Sequence, residues 1–149
     1  MANMDEKARR KLRLRKALFW ALLGLIVVSI VLAVKRKGEW VIPAEVAGRQ
    51  NPVAGSAEGL KAGRSLYEEH CERCHGVTGR GDGADAWKHF TSPGDLTDAG
   101  RINALSDGAI FYEISEGRKP MPSFKTRLTE EQRWQLVLLI RTFSGHTEK

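Results

Sequence analysis

The run Cys71-Glu72-Arg73-Cys74-His75 constrains this chain more than any other feature, because it contains both cysteines and one of the four histidines. Two thiols at this spacing on a helical turn match the two vinyl groups at one edge of a porphyrin. The histidine that follows then lies beneath the ring with a nitrogen facing the iron. The motif therefore predicts one covalent haem c, held by Cys71 and Cys74, with His75 as an axial ligand.

Two other uses of a Cys-x-x-Cys pair compete with haem attachment. A thioredoxin-like dithiol needs a strand–helix–strand setting, and a zinc site needs two further thiolate or imidazole ligands at suitable spacing. The sequence provides neither context. It also contains no second haem motif, so we expect a mono-haem chain.

The first third of the chain differs in composition from the rest. Residues 17–34 are eighteen consecutive positions without a charge, and at 1.5 Å rise per residue they make about 27 Å of helix, close to the thickness of a bilayer core. A cleaved signal peptide is the alternative. However, the apolar run is longer than a usual signal core and ends at basic residues without a small-x-small cleavage site. We predict an uncleaved transmembrane helix.

Charge predicts the orientation of that helix and the class of partner. Seven Lys or Arg residues precede it and three follow it immediately, so the amino terminus is expected in the cytoplasm. Residues 1–37 carry ten basic and two acidic residues, whereas residues 38–149 carry fourteen basic and sixteen acidic ones. The net charge of +6 thus belongs to the membrane anchor, which argues against a nucleic-acid partner.

Composition also divides the chain into four parts. After the apolar run, two prolines and three glycines without a sustained apolar period are typical of an extended linker. Trp40 in this segment is expected either at the membrane interface or packed on the domain. The predicted parts are a basic cytoplasmic segment at 1–16, the transmembrane helix at 17–34, a linker at 35–56 and a haem-binding domain at 57–149.

Helical periodicity and capping residues predict three helices in the haem-binding domain. They cover residues 57–71, 106–117 and 129–143, with caps at Ser56, Ser106 and Thr129. Because Gly63 has no side chain, we expect the last helix to approach the first closely there. We also expect Tyr67 to lie opposite Trp134 at this crossing.

The second axial position of the iron has one methionine candidate. Met1 and Met4 precede the apolar run, which leaves Met121 as the only methionine in the body of the chain. Prolines on both sides stiffen its loop, so that the thioether can be presented to the iron opposite His75. The alternative is that Met121 only fills a gap in the core.

The remaining histidines are weaker ligand candidates. His89 lies in a loop between Trp87 and Phe90 and is the main rival to the methionine, although a surface position or a contact with a haem propionate suits it better. His70 directly precedes the motif and is expected to point to solvent. His146 belongs to the carboxy-terminal tail.

Together these segments resemble a known family. The motif at 71–76, the glycine-rich run at 78–83, the Pro-Met-Pro loop at 120–122 and the aromatic-bearing last helix are similar to those of a class I mono-haem cytochrome c of the membrane-anchored bacterial type. The resemblance covers about residues 51–144.

The resemblance implies an all-α cytochrome c fold, with three or more helices around the haem. It implies that Cys71 and Cys74 form the thioethers, that His75 is the proximal ligand and that Met121 is the distal ligand. In this family a basic residue after the motif often meets a haem propionate; Arg80 is a candidate, and a solvated arginine is an equal alternative.

These inferences lead to three functional hypotheses. With both axial positions filled, the iron transfers single electrons without binding substrate, as a respiratory carrier or haem subunit working with a quinol-oxidising complex, a terminal oxidase or a dehydrogenase. The alternative is a haem enzyme or gas sensor with an open sixth position, and the third is a mainly structural subunit. The resemblance implies a haem domain in the periplasm, anchored to the bacterial inner membrane.

Overall fold

The computed structural model of the protein describes residues 2–36 and 41–145. The chain forms two compact units, the first ending at Val41 and the second beginning at Ile42. Every regular element among the described residues is helical, which confirms the predicted all-α class. Trp40 and His146 lie outside the described residues.

The first unit contains one long helix, α1 (Ala2–Arg36). It extends beyond the predicted apolar run because the basic residues before that run also have good helix propensity and continue the same backbone. Its segment Glu6–Ala33, with a mean hydropathy of 2.4 over its most apolar window, is long and apolar enough to cross a membrane. Large apolar side chains along it, such as Leu18, Trp20 and Leu25, are exposed.

The second unit is built from short and medium helices joined by loops. The helices are α2 (Ala44–Ala47), α3 (Ala57–His70), α4 (Glu72–His75), a 3-10 turn (Ala86–Lys88), α5 (Ala99–Ile102), α6 (Asp107–Glu116) and α7 (Glu130–Phe143). The predicted caps are present: the side chains of Ser56, Ser106 and Thr129 accept hydrogen bonds from backbone amides in the first turns of α3, α6 and α7. These polar caps fix where the three main helices begin.

The core of the second unit forms where α3 meets α7. A Cβ at Gly63 would overlap the carbonyl oxygen of Gln135, which confirms the predicted close approach. Tyr67, which was expected opposite Trp134, has its ring 5.1 Å from that of Phe143.

Trp134 instead packs on α6. Its ring stacks on that of Phe111, with 4.1 Å between centroids and 20° between planes. Both side chains are almost fully buried, and offset stacking of this kind stabilises a core beyond the area that it buries. The pair joins α6 to α7.

The segment predicted as the second half of a linker packs on the second unit. The hydroxyl of Ser106 donates to the carbonyl of Ala47 at 2.6 Å, and the buried Asn51 amide donates to the carbonyl of Trp134 at 3.1 Å. Each contact joins residues more than fifty positions apart, which composition alone does not reveal. The compact unit therefore begins about fifteen residues before the predicted boundary at Ala57.

A buried arginine joins the end of α7 to the start of α6. The Arg141 guanidinium donates to the Asp107 carboxylate at 2.7 Å and to the carbonyls of Ile102 and Leu105 at 2.7 and 2.6 Å. Its side chain is 7% exposed. Three acceptors at once satisfy the buried cation, which is the condition under which such a group is tolerated in a core.

Candidate functional site

The cysteine–histidine motif forms a tight turn at the end of α3. Cys71 ends α3 and begins α4, and its amide donates to the carbonyl of Tyr67 at 2.8 Å. The amides of Cys74 and His75 then donate to the carbonyl of Cys71 at 3.1 and 2.9 Å. The structure thus holds all three predicted motif residues, Cys71, Cys74 and His75, on one helical turn.

The two cysteines are half-buried and are not bonded to each other. Burial raises the pKa of the Cys71 thiol to about 12, with a further contribution from the neighbouring Cys74 sulfur. A thiol with so high a pKa has little thiolate at neutral pH, whereas a redox-active dithiol depends on a lowered one. This environment argues against a redox-active dithiol.

The imidazole of His75 is oriented by a backbone carbonyl. Its Nδ1 lies 3.3 Å from the carbonyl oxygen of Gly94. Burial lowers the pKa of His75, the hydrogen bond to Gly94 acts in the opposite direction, and the charge of Arg101 lowers it further. A neutral ring that donates from Nδ1 keeps the lone pair of Nε2 for a metal, the usual arrangement of a histidine ligand.

The glycine-rich loop after the motif folds back onto it. The amide of Gly81 donates to the carbonyl of His75 at 2.8 Å, and that of Gly83 donates to the carbonyl of Cys74 at 3.2 Å. Gly76 has a φ of +79°, and a Cβ there would overlap the Asp82 carboxylate. The closely spaced glycines let the backbone turn sharply enough to support the motif.

Tyr67 is a site residue whose role the sequence did not reveal. Its side chain is 1% exposed, and its hydroxyl donates to the carbonyl of Gly76 at 2.7 Å. Burial raises the pKa of Tyr67 well above its usual value, so the hydroxyl stays a donor. Gly94 was also missed, because no local pattern shows which distant carbonyl meets the imidazole of His75.

Met121 lies on a loop that follows α6. Its side chain is half-buried and packs against the hydrophobic core of the second unit, which Cys71 also contacts. Just after it, Phe124 is buried, and its ring lies 6.0 Å from that of His70. The end of the methionine loop is therefore beside the start of the cysteine–histidine motif. His70 is exposed, as expected, and one side of its ring makes this contact.

The other candidates lie on the surface. His89 is exposed, and so are Trp87 and Phe90 on either side of it. Arg80 is also exposed. Among residues 2–36 and 41–145, no three His, Cys, Asp or Glu side chains are grouped as metal ligands, so the zinc alternative gains no further donors there.

The donor set fits a covalent haem. Two sulfurs and one imidazole share a single turn, Nδ1 of the imidazole is engaged by a carbonyl, and a thioether packs against the same core as the first sulfur. Two sulfurs for attachment and an imidazole for the iron are the groups that a c-type haem uses, and a thioether is one of the side chains that can take the second axial position.

Comparison with known families and structures agrees with this chemistry. The sequence profile described as cytochrome C oxidase, cbb3-type, subunit III matches residues 58–140, which is more than half of the 149 residues. No curated protein sequence matches the chain.

The solved structures that are similar to the chain include two with TM-scores above 0.5. One is the Kuenenia stuttgartiensis reducing HAO-like protein complex Kustc0457/Kustc0458, with 28% identity and a TM-score of 0.55 over 65% of this chain and 48% of that one. The chain therefore spans about half the length of that protein. The other is cytochrome CL from Methylophaga aminisulfidivorans, with 22% identity and a TM-score of 0.52 over 66% and 69%. This second similarity shows the fold, which is that of a cytochrome c.

Proposed function

Since this chain belongs to the family of cbb3-type cytochrome c oxidase subunit III and is a c-type cytochrome carrying covalent haem c, we propose that it is a membrane-tethered carrier of single electrons. Cys71 and Cys74 hold the haem through thioethers, and His75 and Met121 are its axial ligands. The observation that carries this proposal is the hydrogen bond from Nδ1 of His75 to Gly94. It leaves Nε2 as the ligand atom.

The residues around the motif fix the ligands rather than bind a substrate. The bound haem supplies the one-electron couple of its iron. The loop amides of Gly81 and Gly83 hold the carbonyls of His75 and Cys74, so the imidazole keeps one orientation. Because a ligand set of this kind need not rearrange when the electron arrives, the fold supports electron transfer rather than catalysis at the iron.

The methionine loop is held by hydrogen bonds to α6. The amides of Phe124 and Lys125 donate to the carbonyls of Ile114 and Ser115 at 3.3 and 3.0 Å, and the hydroxyl of Ser123 also donates to the carbonyl of Ser115 at 2.6 Å. A loop held in this way keeps its thioether in one place. This supports Met121 as the sixth ligand.

We further propose that α1 anchors the protein in the bacterial inner membrane. Its apolar segment is long enough to span the bilayer, and the excess of Lys and Arg before the apolar run orients the amino terminus to the cytoplasm. The haem domain is then periplasmic. One pass through the membrane keeps it near membrane-embedded redox enzymes.

The partners follow from the same anchoring. The matched family is named for a subunit of a terminal oxidase, and one similar chain comes from a protein complex. We propose that this cytochrome serves as a haem subunit or carrier between a quinol-oxidising complex and a terminal oxidase or dehydrogenase. It is thus an electron-transfer protein and not itself an enzyme.

The absorption spectrum of the full-length chain, matured with haem and purified in detergent, tests the ligation. In the ferric protein we expect the weak far-red band of a thioether–iron bond. The band should be lost in Met121→Ala and retained in His89→Ala, the matched variant of the rival ligand. A high-spin spectrum in the unmodified protein, shifting on addition of cyanide, would contradict the proposal.

A further inference from the structure

Helix α1 begins with a strongly basic stretch that continues without a break into its apolar segment. Residues 7–16, here called the basic segment, contain seven Lys or Arg residues and no acidic residue, and all ten are exposed. Asp5 and Glu6 are the acidic residues just before them, so residues 5–16 keep a net charge of +5. Orientation requires only an excess over the three basic residues that follow the apolar run, so the segment has more charge than topology needs.

The cations surround the helix on every side. With about 100° between successive residues, no gap wider than about 100° separates the directions of six of these side chains: Lys7, Arg10, Lys11, Arg13, Arg15 and Lys16. A helix that lies flat on a membrane, or that docks on one protein surface, has a distinct binding face. Lipids surround a helix that enters a bilayer, so their headgroups are the partner that can meet cations in all directions.

Depth in the membrane distinguishes two groups of these cations. The inner group is Arg13, Arg15 and Lys16. These residues precede the apolar run by at most four positions, which is about 6 Å of helix. The headgroup layer on each side of the hydrocarbon core is roughly 5–8 Å thick. The inner group therefore lies at the level of the lipid phosphates.

The other cations lie farther from the bilayer. The outer group compared here is Lys7, Arg10 and Lys11. These residues are about 9–15 Å from the start of the apolar run, and side chains on a helix tilt towards its amino terminus, which here points away from the membrane. The distance exceeds the Debye length of about 8 Å at physiological salt, so their attraction to the lipid phosphates is largely screened.

We propose that the inner group is a binding site for anionic phospholipid headgroups. The guanidinium groups of Arg13 and Arg15 donate paired hydrogen bonds to phosphate oxygens, and the ammonium group of Lys16 adds a point charge. This inference rests on the proposed membrane anchor. Anionic lipids gathered around the helix hold the start of the apolar run at a fixed depth in the bilayer.

Lipid-selective quenching in nanodiscs tests the site. The full-length haem-loaded chain carries an NBD fluorophore on Ala17→Cys, next to the inner group. Two sets of discs have the same composition, phosphatidylcholine with a minority of phosphatidylglycerol. A headgroup-proximal doxyl label is placed on phosphatidylglycerol in one set and on the same amount of phosphatidylcholine in the other. Because the protein is identical in both sets, the ratio of the two quenching values cancels quenching by the haem.

We expect labelled phosphatidylglycerol to quench about three- to fivefold more strongly than labelled phosphatidylcholine. The ratio should fall to near one in Arg13→Gln/Arg15→Gln/Lys16→Gln. It should be retained in the matched control Lys7→Gln/Arg10→Gln/Lys11→Gln. Each triple variant removes three charges and leaves four basic residues before the apolar run, so the two have the same orientation signal.

The proposed anchor and the proposed lipid site fail in different ways in this experiment. A chain that does not elute with the discs would contradict the membrane anchor. A chain that elutes with them but gives a ratio near one would overturn only the lipid site and would leave the basic segment to an acidic protein partner. An equal fall in the two triple variants would also overturn the site, because the preference would then follow total charge rather than the residues at the headgroup layer.

Discussion

The hydroxyl of Tyr67 donates a 2.7 Å hydrogen bond to the carbonyl oxygen of Gly76, the residue that follows His75. Tyr67 lies on the last full turn of α3, and both residues are buried. The bond therefore joins the last turn of α3 to the residue that directly follows the cysteine–histidine motif. The Tyr67 side chain thus adds to the backbone hydrogen bonds that hold the motif against α3.

Tyr67→Phe removes this bond and leaves the ring contact with Phe143 in place. The carbonyl of Gly76 keeps the 3.1 Å hydrogen bond from the amide of Gly79, so we expect the free energy of unfolding to fall by about 0.5–1.5 kcal/mol, the net contribution of one hydrogen bond. Chemical denaturation of the haem-loaded chain in detergent, followed by absorbance, measures this change. An unchanged denaturation midpoint would show that the bond adds nothing to stability.

The crossing of α3 and α7 gives a second prediction. A methyl group at Gly63 would overlap the carbonyl oxygen of Gln135, which belongs to the backbone of α7 and cannot turn aside. We expect Gly63→Ala to lower the free energy of unfolding by about 1–3 kcal/mol, even though alanine favours helix. Ser65→Ala, at an exposed position of the same helix, is the control. Equal stability of the two variants would contradict the close packing.

This crossing also shows what sequence can predict. Gly63 lies on the periodic face of a capped helix, and Thr129 and Gln132 form the expected capping box of α7; each signal is local. Whether Tyr67 faces Trp134 or Phe143 depends on the relative direction of two helices more than fifty residues apart. Periodicity within one helix carries no information on that direction.

The cysteine–histidine motif shows the same limit of prediction from sequence. The residue types and spacing of the motif predict its chemistry, because covalent haem attachment requires that order of groups. The carbonyl that orients the imidazole of His75 belongs to Gly94, in a loop without periodicity. The packing of Ala47 and Asn51 on the domain also depends on distant partners, so composition alone predicted a linker there.

A third prediction concerns pH. The Glu113 side chain is 17% exposed and lies 3.6 Å from the Arg101 guanidinium. Burial raises its pKa, and the charges of Arg101 and Arg118 oppose this only in part. A carboxyl whose pKa is higher in the folded state stabilises the fold below its unfolded pKa, and this contribution is lost as the pH rises through the folded value.

The glutamine side chain in Glu113→Gln cannot ionise, so this variant does not lose stability at that position as the pH rises. We expect its unfolding free energy, relative to the unmodified protein, to increase as the pH rises from about 4 and to level off above the folded pKa of Glu113. Denaturation at a series of pH values measures the difference. Glu131→Gln, at an exposed position, is the control; it measures how much the loss of any carboxylate changes the unfolding free energy across the same pH values. If the unfolding free energy of Glu113→Gln relative to the unmodified protein stays constant or falls as the pH rises, the raised pKa of Glu113 is contradicted.

The methionine loop passes close to a glycine at the end of α6. Gly117 has a φ of +62°, and a Cβ there would overlap the carbonyl of Pro122. Pro122 follows Met121 directly. The absence of a side chain at Gly117 therefore allows the loop to lie where it does, and the position of the Met121 thioether depends on it.

Gly117→Ala is expected to displace the loop and weaken the proposed bond between Met121 and the iron. The far-red band of the ferric protein should fall or vanish, and the ferrous protein should gain carbon monoxide binding, because the sixth position opens while His75 stays in place. Gly55→Ala is the control: Gly55 has a φ of +70°, but a Cβ added there would meet no atom within 4 Å, so this variant places an alanine at a positive φ without the overlap. If both variants keep the band, Gly117 does not position the methionine. If both lose it, backbone strain rather than the contact with Pro122 is responsible. Loss in Gly117→Ala alone is the outcome that the geometry predicts, since only there does the added carbon meet the loop that carries the ligand.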